Sequence, residues 1–184
     1  MAAGGYCGED LTWKLYKNNT DATNPTYKLV IEGTGEMYDY AVSGSNIAPW
    51  RLDPLKMCEN ITEISLPEGI TSIGNNAFLK AGISTLTIPN GVTSIGENAI
   101  WNCVDPTDGN VSNVDITLPS SLKEIKTTGI FGKFTLNLNN ENTSFVTTGG
   151  GKILYTKDKT KLIQVSQDYA TDNLVIPDTV TEIG

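Results

Sequence analysis

Residues 61–82 and 83–100 of this chain carry one phrase written twice. ITEISLPEGITSIGNNAFLKAG is followed by ISTLTIPNGVTSIGENAI, so that Ile64, Leu66, Pro67, Gly69, Ile70, Ile73, Gly74, Ala77 and Phe78 fall on Leu86, Ile88, Pro89, Gly91, Val92, Ile95, Gly96, Ala99 and Ile100. Each pair lies 22 residues apart, as Pro67 and Pro89 do. A fixed period of this length predicts a solenoid, in which every repeat is a short supersecondary unit stacked on the next. One unit holds too few apolar side chains to offset the entropy of ordering it, so stacking is compulsory.

The unit reads in detail. Ile64 and Leu66 alternate with Glu63 and Ser65, which predicts a short strand with the first pair inward and the second outward. Pro67 cannot donate to a ladder and closes the strand. Gly69 permits a turn, Ile70 and Ile73 point back inside, and residues 75–78 are expected as a brief helical turn on the opposite wall. Gly74 and Ala77 are small where backbone is expected to pass close to backbone.

A third copy runs through Val114, Ile116, Leu118, Pro119, Leu122, Ile125, Gly129 and Ile130. About eight extra residues separate it from the second, in a polar loop over 104–112 containing Asp105, Asp108 and Asn110. These could touch calcium, but the spacing is not that of an EF-hand loop, and a solvated turn is the simpler reading. Phe134, Leu136 and Leu138 then alternate, a polar turn follows, and two strands around Lys157–Thr160 predict a β-hairpin inserted between coils. The repeat resumes at Leu174, Ile176, Pro177, Val180 and Ile183, and stops in mid-unit at Gly184.

Ahead of the repeats, Leu11, Trp13 and Leu15, and then Tyr27, Leu29 and Ile31, alternate with polar residues on either side of a polar turn. This predicts an antiparallel hairpin, the lid that the exposed first coil needs. Asp53-Pro54 with Leu52, Leu55 and Met57 predicts a short helix leading into the array. Trp13 and Trp50 default to buried core, with a sugar-binding platform as the alternative. The chain thus divides at 57/58: a cap and short helix over 1–57, and repeats over 58–184 with a hairpin at about 139–169.

The 184 residues carry 13 Lys and Arg against 21 Asp and Glu, a net charge of −8 with no basic cluster. That argues against a nucleic-acid partner. No apolar run approaches the ~18 residues of a membrane span. The opening MAAGGYCGED lacks the apolar core of a leader, so either the protein is intracellular or the sequence starts after a removed leader, and a Met ahead of two Ala and two Gly favours the second. Histidine is absent, which removes His-based triads and most transition-metal sites. Cys7, Cys58 and Cys103 show no CxxC spacing; buried thiols are the simple reading, with a Cys7–Cys58 bridge as the alternative.

LPEGITSIGNNAF, IPNGVTSIGENAI and IPDTVTEIG resemble the BspA-type leucine-rich repeats, a family of bacterial and protist surface proteins. CGEDLTW, EGTGEM and the APW segment resemble that family's N-terminal cap, and ILYTKDKTKLI resembles a hairpin many members insert, with Lys159 where a Gly is usual. The resemblance implies an α/β-class leucine-rich-repeat solenoid, strand-rich with very short helical turns, and a secreted or cell-surface role in adhesion to host or bacterial proteins. The family motif is all framework, so it carries over no catalytic, cofactor or metal residue.

The candidate binding face therefore rests on the outward strand positions Glu63, Ser65, Thr85, Thr87, Asp115, Thr117 and Asn173, which stacking would bring into line. A merely solvated sheet face is the bland reading. Two further roles stay open: carbohydrate binding through Tyr6, Tyr38, Tyr40 or Trp101, and a structural spacer that self-associates end to end through its last repeat.

Overall fold

The fold is that of a computed structural model, which describes residues 3–18, 25–52, 58–101, 103, 110–169 and 174–184. Among them the regular structure is almost wholly strand. Among the described residues the only helices are single 3-10 turns at Pro49–Arg51 and Cys58–Asn60, and the segment read as a short helix at 53–57 lies outside them.

β1 (Ala3–Tyr6), β2 (Asp10–Lys17) and β3 (Tyr27–Glu36) form an antiparallel meander, as the two alternating runs require. Leu11, Leu15, Leu29 and Ile31 face inward and are buried. β3 then serves two neighbours. Its first half pairs in parallel with β4 (Ile61–Ser65), and its end pairs with β5 (Ile70–Ile73), so one strand lies on both limbs of the first repeat. Gly33 makes the corner possible: its φ is +109°, and a Cβ there would stand 2.0 Å from the Asp10 carbonyl oxygen.

From there the copies stack in parallel, each on its counterpart. β6 (Thr85–Thr87), β9 (Asn113–Leu118) and β12 (Lys133–Leu138) form one stack, with Leu86, Ile116 and Leu136 in register. β5, β7 (Ser94–Ile95) and β10 (Glu124–Ile125) form a second, aligning Ile73, Ile95 and Ile125. β8 (Ile100–Trp101) and β11 (Ile130–Phe131) form a third. The repeated apolar residues thus face a shared core that runs from Cys7 to Leu154.

The segment at 75–78 is a hydrogen-bonded turn and not helical. Asn76 has φ +56°, and the same place in the next two copies, Asn98 and Thr128, has +51° and +57°. A left-handed residue ends right-handed winding, and the turn's amides are spent on the next copy instead: Asn76 N donates to Glu97 O at 2.8 Å and Phe78 N to Ala99 O at 2.7 Å. Gly74 is small for the expected reason, since a Cβ would lie 2.0 Å from the Tyr38 carbonyl oxygen.

Asparagine adopts this conformation readily, whereas a β-branched threonine does so only at a steric cost. Thr128→Asn, the residue of the other two copies, is therefore expected to raise the melting temperature by about 2–4 °C for roughly 1 kcal/mol of relief. Differential scanning calorimetry checks it.

The chain after β12 forms a second meander, β13 (Phe145–Thr148), β14 (Ile153–Thr156) and β15 (Lys161–Val165), and β15 pairs in parallel with β16 (Glu182–Ile183). The turn joining β14 to β15 carries Lys159 at φ +57°. Asp158 Oδ1 ties it down, accepting from Thr160 N at 3.0 Å and from the Thr156 and Thr160 hydroxyls at 2.7 and 2.8 Å. These donors hold the Asp158 carboxyl below the usual range. Lys159→Gly removes the left-handed strain but loosens the unfolded chain, so a small net rise in melting temperature of about 1–2 °C is expected. A fall would show that the lysine side chain itself holds the turn.

Candidate functional site

Four of the seven residues predicted for the outward face come together on one sheet. Because β6, β9 and β12 are in register, Thr85, Asp115 and Thr135 form one row, and Thr87, Thr117 and Asn137 the next. Alternation drives their orientation: Val114, Ile116 and Leu118 are buried, while Asn113, Asp115 and Thr117 are exposed. Glu63 and Ser65 lie on β4, which pairs with β3 instead. Glu63 is ion-paired with Lys28, and Ser65 stands half-buried opposite Val30. Asn173 lies outside the described residues, as do Asp105 and Asp108 of the polar loop.

The structure adds residues that repeat reasoning passed over. β12 is a fourth copy of the first strand, so Thr135 and Asn137 extend the rows. The signal was present in the alternation of Phe134, Leu136 and Leu138, at 20 residues from Val114, Ile116 and Leu118. At one edge of the face, Asn113 Nδ2 donates to Asp115 Oδ1 at 3.0 Å and to Thr135 Oγ1 at 3.3 Å. Lys152 Nζ donates to Asn113 Oδ1 at 2.6 Å and pairs with Asp168 at 2.8 Å. The Ser166 hydroxyl donates to Asp168 Oδ1 at 2.5 Å and accepts from Phe134 N at 2.8 Å. Partial burial pushes the Asp168 pKa up, but the bonds from Lys152 and Ser166 outweigh it and hold the carboxyl below its usual range. No sequence pattern links Asn113 to Lys152, 39 residues on.

Chemically the face offers hydroxyl, amide and carboxylate groups on a rigid sheet, suited to hydrogen bonding. Among the described residues no group of three His, Cys, Asp or Glu side chains could hold a metal ion. The aromatic alternative narrows: Trp13, Tyr40 and Trp50 are buried, and Trp101 is half-buried, edge-on to Phe131 at 5.9 Å. Tyr6 and Tyr38 remain exposed, and Tyr38 lines a groove of about 490 Å³ with Glu9, Asp10, Glu36 and Asp39.

The three cysteines are buried and free, so the Cys7–Cys58 bridge is not formed. Burial pushes the Cys7 and Cys103 thiols up to about 12, and Cys58 further in the same direction. A folded-state pKa above the unfolded value means that the native fold holds its protons more tightly. Stability is then complete below the ordinary value of 9.0 and is lost as pH climbs from there toward about 12. Urea midpoints are expected to be level at neutral pH and to fall progressively above about pH 9; a flat profile to pH 11 would contradict this.

Residues 53–107 match the family described as BspA type Leucine rich repeat region (6 copies). No curated protein matches the chain. A leucine-rich repeat protein from Eubacterium ventriosum ATCC 27560 is 21% identical, with TM-score 0.50 over 99% of this chain and 56% of its own. The pneumococcal vaccine antigen PcpA is 12% identical, with TM-score 0.47 over 100% of this chain and 61% of its own. The chain therefore spans less than two thirds of each solved structure.

Proposed function

We infer that this chain, which carries a BspA-type leucine-rich repeat region over residues 53–107, is a non-enzymatic surface module that binds another protein through the β6–β9–β12 face. The stacks form a short solenoid capped by the first meander, the cap ending and the repeats beginning near residues 57/58. The observation that carries the reading is the pair of polar rows, Thr85–Asp115–Thr135 and Thr87–Thr117–Asn137, on three strands in register. Rigid backbone lowers the entropy lost on binding, and a row of small hydrogen-bonding groups suits a protein surface better than an apolar ligand. The repeat type supports a secreted or cell-surface location. Among the described residues no helix is long and apolar enough to cross a membrane.

A carbohydrate partner is the second reading, favoured by exposed Tyr38 beside the carboxylates of the 490 Å³ groove. Surface plasmon resonance against immobilised extracellular-matrix and bacterial surface proteins, run beside a glycan array, separates the two. Protein capture supports the first reading. Glycan binding alone, lost on Tyr38→Ala, transfers the function to the groove.

A further inference from the structure

At the start of β9 the fold brings an amine, an amide and a carboxylate into contact. Lys152, just before β14, donates from Nζ to Asn113 Oδ1 at 2.6 Å and to Asp168 Oδ2 at 2.8 Å, across 39 and 16 residues of chain. The Lys152 side chain is 20% exposed, so its amine is largely withdrawn from water. Ser166 is buried and donates to the other carboxylate oxygen at 2.5 Å, which leaves Oδ2 on the amine. Around the amide, Asn113 Nδ2 donates to Asp115 Oδ1 at 3.0 Å, and the Thr135 hydroxyl stands 3.4 Å from Oδ1. A simple ion pair needs neither an amide against the amine nor a buried serine behind the carboxylate.

We propose that the side chains of Lys152 and Asn113 condense to an amide with release of ammonia, Asp168 acting as the base. Asp168 Oδ2 takes one proton from the Lys152 ammonium, and the freed amine attacks Asn113 Cγ, the carbon bearing the oxygen it already touches. The new N–C bond pushes an electron pair onto Oδ1, where the Thr135 hydroxyl meets the charge. Asp168 then gives its proton to Nδ2, the pair on Oδ1 restores the carbonyl, and the Cγ–Nδ2 bond breaks. The joined nitrogen passes its surplus proton to the departing ammonia, so the products are one amide and one ammonium ion, with no oxidant or co-reactant. Holding amine and amide together in a folded frame replaces a bimolecular encounter. Partial burial raises the Asp168 pKa, but the bonds from Lys152 and Ser166 outweigh it, so Asp168 rests as the carboxylate that can accept the proton. The resting ion pair makes the neutral amine a minor form, and the bond therefore accumulates over days after folding. It ties the second meander to β9 and is independent of what the polar rows bind.

Intact-mass spectrometry of the whole chain, fresh and after days of warm incubation, tests the proposal. The incubated protein is expected to be lighter by one ammonia, and its protease digest to hold one branched peptide joining the segment of Asn113 to that of Lys152. Lys152→Arg keeps the charge but lacks the amine, and should retain its full mass. Asp168→Asn should link roughly a hundredfold more slowly. Closing a loop of this length should raise the melting temperature of the linked protein over the fresh one by about 8–16 °C. A wild type that keeps its full mass overturns the proposal. Loss of ammonia without the branched peptide also overturns it, assigning the loss to a cyclised asparagine. So does loss of water with a link from Lys152 to Asp168, and linkage in Asp168→Asn as fast as in the wild type overturns the role of the base.

Discussion

Trp50→Ala is expected to destabilise the fold by about 3–5 kcal/mol and to lower the melting temperature by roughly 10 °C or more. Trp50 is wholly buried and joins what the sequence keeps apart. Its ring meets Trp13 of the first meander at 5.7 Å and Tyr40 at 5.6 Å, both edge-on, and stacks on Phe78 of the first repeat at 6.3 Å. Its Nε1 donates to the Ala77 carbonyl at 2.9 Å. Truncation would remove three aromatic contacts, strand that carbonyl and leave a cavity between the first meander and the stack. Trp50→Phe keeps most of the volume but loses the hydrogen bond, so about a third to a half of the loss is expected from it. Equal melting of wild type and Trp50→Ala would mean that the first meander does not brace the first repeat.

Asn142→Leu is expected to cost about 3 kcal/mol, or roughly 6–12 °C in melting temperature, although leucine is what the template would put there. The register of β12 on β9 places Asn142 over Leu122, at the position of Val92 and Ile70 in the earlier copies. Asn142 is 1% exposed. Its Nδ2 donates to the carbonyls of Pro119 and Leu122, both at 3.0 Å, and its Oδ1 accepts from Ser144 N at 2.9 Å and Phe145 N at 2.8 Å. The side chain thus satisfies the backbone where the stack gives way to the second meander. A leucine fills the space and leaves those four groups without these bonds, at a cost that burial makes severe. Thermal melts of Asn142→Leu and Asn142→Ala settle the matter: a stabilised leucine variant would show that volume, and not hydrogen bonding, governs the site.

Asn142 also shows where sequence reasoning stops. The repeats at Pro67, Pro89, Pro119 and Pro177 announce themselves because apolar side chains and prolines recur at fixed offsets, and pairing in register follows from that recurrence. The copy at 133–142 keeps the alternation but puts Asn139 in the proline's place and Asn142 in the apolar one, so by composition it reads as a polar turn. Its hydrogen bond survives the change: Asn142 N donates to Asn139 O at 2.9 Å, as Leu122 N does to Pro119 O at 3.4 Å. The turn at 75–78 reads as helical in the sequence for a related reason. Positive φ at Asn76 is a property of the stack, which rewards amides aimed at the next copy, and no local pattern announces it. For the face, the outward positions of β6 and β9 were legible from alternation alone. The switch of β4 to β3, and the Asn113–Lys152–Asp168 bonds, depend on tertiary pairing between residues far apart in the chain.

The repeat's recognisable residues point inward and specify a stack, so the proposed binding function rests on the outward positions between them. The most direct measurement compares two surfaces of one molecule. Thr85→Lys, Thr87→Lys and Thr117→Lys together alter the β6–β9–β12 face, whereas Thr71→Lys, Thr93→Lys and Lys123→Glu together alter exposed positions flanking the β5–β7–β10 stack. With a protein partner identified by surface plasmon resonance, the first variant is predicted to lose binding while melting like wild type, and the second to bind as wild type does. Binding that survives the first set and disappears with the second would contradict the assignment of the face.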